Sequence, residues 1–209
     1  MSHLLFPLTV LLGALAGLLG LMPAFVSEYS LPHLLLYALI IQVGLGLGMR
    51  PDIKKIIKGF NPRLLLLPVC TIVGTLSFTF LATLLFKGDS SSDLMAIGSG
   101  FGYYTLSSVL IVQFKEAAVG PEAAASIAAI ALLTNVVREM FALISCQYLS
   151  KKGHGETAIS VAGINSMDVC LPMIVGTGKS SDTRLVSAAL FHGLILEISV
   201  PVLISLFCG

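Results

Sequence analysis

The sequence is poor in charged residues and contains no tryptophan. Lysine, arginine, aspartate and glutamate make up only 11% of its 209 residues. A soluble domain carries about 25%. So few charges cannot cover a water-facing surface, which argues against an ordinary soluble enzyme. The formal net charge of +1 gives no general attraction to nucleic acid, and no nucleic-acid partner is expected.

Cysteine is also scarce and has no recognisable pattern. The four cysteines lie in or beside apolar runs, without the spacing of a metal site or of a disulfide framework. Small buried apolar side chains are their simplest interpretation. We therefore expect neither a metal nor a cofactor.

Long apolar stretches dominate what is present. The hydrophobic fraction is 56% and the mean hydropathy is +0.97. A membrane-spanning helix needs about 20 mostly apolar residues. The gaps between the apolar stretches are too short for a soluble domain. The sequence predicts an all-α polytopic protein in a lipid bilayer, with one transmembrane domain over residues 1–209 and about seven membrane segments, at 4–26, 31–49, 64–86, 93–114, 122–148, 157–178 and 185–208.

The distribution of basic residues predicts an orientation. If each stretch crosses once and the loop at 50–63 is cytoplasmic, eight basic residues lie inside and three outside. Lys115 would then be inside. Lys151 and Lys152 would be outside, as the exception to the rule that basic residues lie mainly on the cytoplasmic side.

The stretch 93–114 is interrupted by glycines and hydroxyl groups. Exposed backbone at membrane depth survives only where it is buried in protein or lines a wet cavity. Close helix packing through small residues is the alternative interpretation. The candidate ligands here are Ser99, Gly100, Gly102, Tyr103, Tyr104, Thr105 and Ser107.

A second interruption covers 163–172. It combines Asn165, Ser166 and Asp168 with Pro172, which disrupts the preceding helical turn. Acids within membrane segments usually face water or a partner. Alternatively, Asp168 caps a helix in a short re-entrant turn. Two interrupted segments indicate a transporter site near the membrane midplane, so two of the seven segments are predicted to be discontinuous or re-entrant.

Further polar residues lie in other apolar stretches. Asn135, Arg138 and Glu139 share one side of the fifth stretch, and Glu197 is central in the last. Asp168 is the candidate partner of Arg138, and a purely structural ion pair is the alternative. Glu197 is interpreted either as a proton carrier or as a packing acid.

Four motifs in order resemble the bacterial lysine exporter LysO family over residues 31–209. They are Ser99–Ser107, Arg138-Glu139, Ser166-Met167-Asp168 with Leu171-Pro172, and His192-Gly193 with Pro201. The resemblance implies export of L-lysine and its analogue thialysine across the cytoplasmic membrane, coupled to protons or another cation.

The same resemblance implies roles for particular residues. Asp168 matches one family acid, a second family acid falls at Asn135, and Glu197 replaces a small polar residue. Family members have an additional N-terminal membrane region. A second copy of this chain or a small separate membrane subunit is therefore the expected partner.

Three functions follow from these residues. In an exporter, Asp168 and Glu139 would bind the ammonium groups of lysine, and the Gly98–Gly102 backbone would bind its carboxylate. An intramembrane hydrolase would use Ser99 with His192. A non-transporting assembly subunit or channel would share the hydrophobicity without explaining the acids. The exporter is the preferred hypothesis, and no enzymatic activity is expected.

Overall fold

The computed structural model describes residues 62–85, 90–175 and 183–209, together with positions 15, 16, 19, 41 and 45. Backbone contacts divide the chain into Met1–Arg50 and Pro51–Gly209. Nearly all described residues belong to the second unit. The predicted segments at 4–26 and 31–49 and the basic residues at 50–58 lie outside the described ranges, and the single transmembrane domain stays a prediction.

The described part of the chain is helical and contains no strand, as predicted for an all-α protein. Short 3₁₀ helices at Pro62–Leu65 and Gly163–Met167 accompany the α-helices. The α-helices are α1 (Leu66–Thr83), α2 (Ser91–Gly98), α3 (Tyr104–Val119), α4 (Pro121–Lys151), α5 (Gly155–Ala162), α6 (Leu171–Val175) and α7 (Thr183–Cys208).

Three of the described helices, α1, α4 and α7, are long and apolar enough to cross a membrane. Their outer faces carry large apolar side chains. Phe78 on α1 is 76% exposed and Ile144 on α4 is 77% exposed. Hydrocarbon, rather than water, is the solvent that suits such faces. The total of seven membrane segments stays a prediction.

Residues 91–119 form a helical hairpin, here called hairpin 1. Helix α2 ends at Gly98, and the backbone reverses through positive φ angles of +46° at Phe101 and +92° at Gly102. At the open end of the hairpin, Lys115 Nζ lies 2.7 Å from Asp93 Oδ1. The two ends of the predicted stretch 93–114 therefore lie together, and the expectation that this stretch is discontinuous or re-entrant stays a prediction.

Residues 155–175 form a second helical hairpin, hairpin 2, against the C-terminal half of α4. Cys146 Sγ on α4 donates to the carbonyl of Ala158 on the first arm at 3.4 Å. Ser150 Oγ donates to the carbonyl of Ile174 on the second arm at 2.6 Å. Between the arms the α-helical winding is lost from Gly163, where φ is +61°.

The two hairpins enter from opposite ends of α4, because α4 begins directly after hairpin 1 and ends directly before hairpin 2. Helix α7 runs in the direction opposite to that of α4. A Cβ on Gly155 would lie 2.7 Å from Leu185 near the start of α7. Cys208 at its end lies within electrostatic range of the Lys115–Asp93 pair. The described fold is thus a hairpin followed by a long helix, repeated in the opposite direction.

Candidate functional site

The tips of the two hairpins meet midway along α4 and α7. The Ile164 amide of hairpin 2 donates to the Phe101 carbonyl of hairpin 1 at 3.2 Å. A Cβ on Gly163 would overlap the same carbonyl oxygen. Gly163 therefore serves two needs, a positive φ and a close backbone approach, that no other residue meets without strain.

Arg138 on α4 covers this junction. Its guanidinium carbon lies 5.7 Å from the centroid of the Phe101 ring, within the range of a cation–π contact. One of its terminal nitrogens would lie 3.6 Å from a Cβ on Gly163. Phe101 itself is fully buried at a positive φ. The aromatic ring and the cation thus fix a backbone conformation that side-chain-bearing residues rarely adopt.

Asn135 on α4 holds the tip of hairpin 1. Its Oδ1 accepts from the Gly102 amide at 2.8 Å, and its Nδ2 donates to the Ile97 carbonyl at 3.3 Å and the Ala131 carbonyl at 2.9 Å. A Cβ on Gly100 would overlap the Asn135 amide. Asn135 is 2% exposed. Its hydrogen-bonding capacity serves the fold, and its sequence-based interpretation as a ligand stays a prediction.

The backbone amides of the glycine-rich turn are hydrogen-bonded within the chain. The amides of Ser99, Gly100 and Tyr103 donate to backbone carbonyls within the turn or helix α2, and the Gly102 amide donates to Asn135. These amide protons are already used inside the chain. The carboxylate nest expected at Gly98–Gly102 stays a prediction.

Most hydroxyls near this turn also bond to their own backbone. Ser99 Oγ donates to the Met95 carbonyl at 2.7 Å, and Ser107 Oγ to the Tyr104 carbonyl at 3.3 Å. Both serines are fully buried. Both hydroxyls thus have a structural role, and their interpretation as ligands stays a prediction. Thr105 lies half-buried in the first turn of α3.

The acids lie on either side of the hairpin junction. Asp168 follows the 3₁₀ helix of hairpin 2 and is exposed, while Glu197 on α7 is 9% exposed. Both lie within electrostatic range of half-buried Tyr103. Tyr104 lies within range of half-buried Glu139. The structure thus brings Tyr103 together with the two carboxylates that sequence reasoning selected, from three different elements.

Asn165 adds a hydrogen-bond donor at the same junction. Its Nδ2 would lie 3.5 Å from a Cβ on Gly102, across the two tips. Among the described residues, this nitrogen is one of three buried side-chain atoms without a hydrogen-bond partner. Buried donors normally find an acceptor. Asn165 is thus a sounder candidate for an anionic group than the glycine-rich backbone.

Sequence reasoning missed a buried chain of polar groups beside this site. His192 Nδ1 lies 3.3 Å from Ser166 Oγ, and its Nε2 lies 3.0 Å from Thr71 Oγ1. Ser99 bonds elsewhere, so the serine–histidine pair of the hydrolase hypothesis is not formed. The sequence gives little indication that Thr71 belongs to this chain, since a single threonine in an apolar helix usually bonds only to its own backbone.

Interrupted helices that meet between long apolar helices, with acids at the junction, are typical of helical membrane transporters. The family model described as "Lysine exporter LysO" matches residues 8–208. This chain belongs to that family.

Two curated relatives support the assignment. The chain is 32% identical over 204 residues to "Lysine exporter LysO" of Escherichia coli strain K12, covering 95% of this chain and 61% of that protein. It is 29% identical over 136 residues to "Putative lysine exporter" of Haemophilus influenzae, covering 65% and 60%. The chain thus spans about three fifths of the length of each relative. No solved structure matches it.

Proposed function

We propose that this chain is a secondary transporter that exports L-lysine, and basic analogues such as thialysine, across the bacterial cytoplasmic membrane in exchange for protons or another cation. The observation that carries the proposal is the junction of the two hairpin tips, with Asp168, Glu197 and Tyr103 around it. Relatives named as lysine exporters supply the substrate.

In this proposal both hairpins are re-entrant. Helix α2 has 8 residues. At 1.5 Å per residue it is about 12 Å long, whereas a bilayer core is about 30 Å thick. Hairpin 1 thus enters from one face and hairpin 2 from the other, so that the tips meet near the midplane. Unwound backbone is tolerated there because it is enclosed by protein.

The groups at the junction match the chemistry of lysine. Its two ammonium groups need carboxylates, for which Asp168, Glu197 and Glu139 are the candidates. Its carboxylate needs donors, which Arg138 and the Asn165 amide nitrogen supply in place of the glycine-rich backbone. Ser166 positions hairpin 2 through its bond to the Ala189 carbonyl at 3.1 Å.

Charge movement explains the need for coupling. Lysine carries one net positive charge, and moving it outward against the membrane potential costs about 2.3 kcal/mol per 100 mV. A cation that enters in exchange for each lysine cancels this charge movement. An exporter of lysine therefore works as an antiporter with protons or another cation.

The carboxylate of Asp168 gives the sharpest test. Purified protein in vesicles preloaded with lysine should exchange it for labelled lysine outside. Asp168→Asn should weaken lysine binding roughly 10- to 100-fold, as expected when a charge-assisted contact is lost. Glu156→Gln is the matched control, because Glu156 has a 62% exposed side chain at the mouth of hairpin 2.

Undiminished exchange by the Asp168→Asn protein would remove this carboxylate from the mechanism. Growth of an exporter-deficient strain on thialysine supplies a second measurement. The chain should be expressed alone and with a small membrane subunit, because either a second copy or such a subunit is the proposed partner. Failure to protect in both arms, together with no exchange in vesicles, would contradict lysine export.

A further inference from the structure

One buried imidazole contacts three elements beside the hairpin junction. His192 on α7 is fully buried. Its Nδ1 lies 3.3 Å from Ser166 Oγ of hairpin 2, and its Nε2 lies 3.0 Å from Thr71 Oγ1 of α1. The ring is also hydrogen-bonded to the backbone of Gly163. Polar groups of the protein therefore occupy both edges of the ring, and this one side chain joins hairpin 2 to α7 and α1.

The surroundings of the imidazole suit a neutral ring. Burial disfavours the charged form of a histidine side chain. A neutral ring has one nitrogen that donates and one that accepts. Its partners at the two edges are hydroxyl groups, which can do either. The ring thus acts as a hydrogen-bonding bridge of fixed charge.

The two hydroxyl partners do not need the ring for their own protons. Ser166 Oγ donates to the Ala189 carbonyl on α7 at 3.1 Å, and Thr71 Oγ1 donates to the Leu67 carbonyl at 3.0 Å. Each hydroxyl keeps an acceptor when the imidazole nitrogen beside it is removed. Such a removal leaves no hydroxyl proton unpaired, and it should therefore cost little stability.

The segment that the ring contacts carries two candidate lysine ligands. Asn165 lies between Gly163 and Ser166, the two hairpin residues that bond to the ring. The Asn165 carbonyl accepts from the Asp168 amide at 3.2 Å and from the Cys170 amide at 2.9 Å. Asp168 is thus fixed to Asn165, and Asn165 is flanked by both contacts of the imidazole. A shift of this segment against α7 would move both candidate ligands.

Hairpin 1 and α4 contact the same segment. The Ile164 amide donates to the Phe101 carbonyl at 3.2 Å, and a terminal nitrogen of Arg138 would lie 3.6 Å from a Cβ on Gly163. The imidazole supplies the hydrogen bonds from α7. The position of the segment within the candidate site therefore depends on His192 as well as on the hairpin junction.

We propose that His192 is a positioning residue for lysine, which acts through Ser166 and Gly163 to place Asn165 and Asp168. The inference rests on the proposed function and adds to it a residue that does not itself touch the substrate. The imidazole transfers no proton in this role. Its effect should appear in the affinity for lysine, because ligands that are displaced by a fraction of an ångström bind less well even when the fold is kept.

Two conservative variants separate the two edges of the ring. The amide group of asparagine reaches the position of Nδ1 in histidine, and that of glutamine reaches the position of Nε2. His192→Asn should therefore keep the contact with Ser166, whereas His192→Gln should lose it and keep the contact with Thr71. In reconstituted vesicles, the lysine concentration for half-maximal exchange should stay within about threefold of wild type in His192→Asn and rise about tenfold in His192→Gln, as expected for one lost hydrogen bond.

The half-saturating concentration distinguishes positioning from a structural role. A smaller amount of folded protein lowers the maximal exchange rate and leaves this concentration unchanged. His154→Gln is the matched control and should behave as the wild type does, because this histidine is exposed in the connection between α4 and α5. Equal half-saturating concentrations in His192→Asn and His192→Gln, or a fall in maximal rate alone, would overturn the inference. Absence of lysine exchange in the wild type would instead contradict the proposed function.

Replacement of Ser166 tests the same contact from its other partner. Ser166→Ala should raise the half-saturating concentration by a similar factor, and adding His192→Gln should raise it no more than about twofold further, because both changes remove one contact. Independent effects that multiply would show that the imidazole does not act through Ser166. An unchanged half-saturating concentration in Ser166→Ala alone would also overturn the inference, whether or not His192→Gln folds.

Discussion

One amide side chain, that of Asn135, holds the turn of hairpin 1 against α4. It satisfies the Gly102 amide, which the break in the helix would otherwise leave unpaired in an apolar environment, and it is a second donor to the Ile97 carbonyl beside the Gly100 amide. The amide is suited to this role because it offers a donor and an acceptor on one rigid plane. An acid at the same position would accept from Gly102 but lose the bond to Ile97.

Replacement of Asn135 by alanine should therefore destabilise the protein. The change leaves the buried Gly102 amide without its hydrogen-bond partner, which costs about 1–3 kcal/mol. Unfolding in detergent, followed by circular dichroism, measures the loss. Thr134→Ala at the adjacent exposed position is the control, and it should stay within about 0.5 kcal/mol of the wild type. Equal stability of the two variants would show that the amide does not hold the turn.

The sequence could predict where the polar groups lie but not which of them are already satisfied. Ser99, Ser107 and Asn135 stood out because an apolar segment has no evident use for them. Their partners are carbonyls of the same helix or of a segment more than thirty residues away. Such a pairing exists only in the folded chain. Asp168 and Glu197, which sequence reasoning also selected, lie within electrostatic range of Tyr103, a proximity that the sequence did not predict.

At the scale of the elements, the contact between the two hairpins depends on a glycine. Gly163 allows the 3₁₀ helix of hairpin 2 to approach the Phe101 carbonyl closely enough for the neighbouring Ile164 amide to donate to it. Both interruptions were visible in the sequence as glycines next to polar residues. Their contact was not, because it requires the chain to reverse at Phe101 and Gly102, which brings Asp93 and Lys115 together.

A methyl group at Gly163 should separate the hairpin tips. Gly163→Ala combines an unfavourable φ of +61° with an overlap on the Phe101 oxygen, and strain of this kind costs about 1–3 kcal/mol. We expect lower thermal stability and a large loss of lysine exchange. Gly74→Ala on α1 is the matched control, because nothing lies within 4 Å of its added Cβ. A Gly163→Ala protein that exchanges lysine as well as Gly74→Ala does would contradict a functional role of this contact.

For the molecule as a whole, the opposed hairpins change the interpretation of its basic residues. Lys151, Lys152 and Arg184 lie at the mouth of hairpin 2, where α1 also begins, directly after the basic residues at 50–63. Lys115 lies at the opposite end, paired with Asp93. Lys151 and Lys152 were the exception to the predicted charge bias only because residues 93–114 were counted as a crossing. If that stretch folds back inside the membrane, as proposed, Lys151 and Lys152 are predicted to lie on the same side as the loop at 50–63.

This orientation predicts which positions can be labelled from each side of the membrane. In a variant whose four cysteines are replaced by serine, a cysteine at Lys152 should react with an impermeant maleimide only from the cytoplasmic side. A cysteine at Ser90, which precedes hairpin 1, and one at Glu116 on its other arm should both react only from outside. Intact cells and inverted membrane vesicles give the two accessibilities.

The pair Ser90 and Glu116 decides between the two topologies, because a single crossing by residues 93–114 would place them on opposite sides of the bilayer. Labelling from the same side requires the chain to turn back inside the membrane, as the Lys115–Asp93 contact at 2.7 Å implies. Labelling from opposite sides would refute the opposed hairpins. The midplane junction would then be lost, and with it the meeting of Asp168 and Glu197 at Tyr103 on which the proposed lysine site depends.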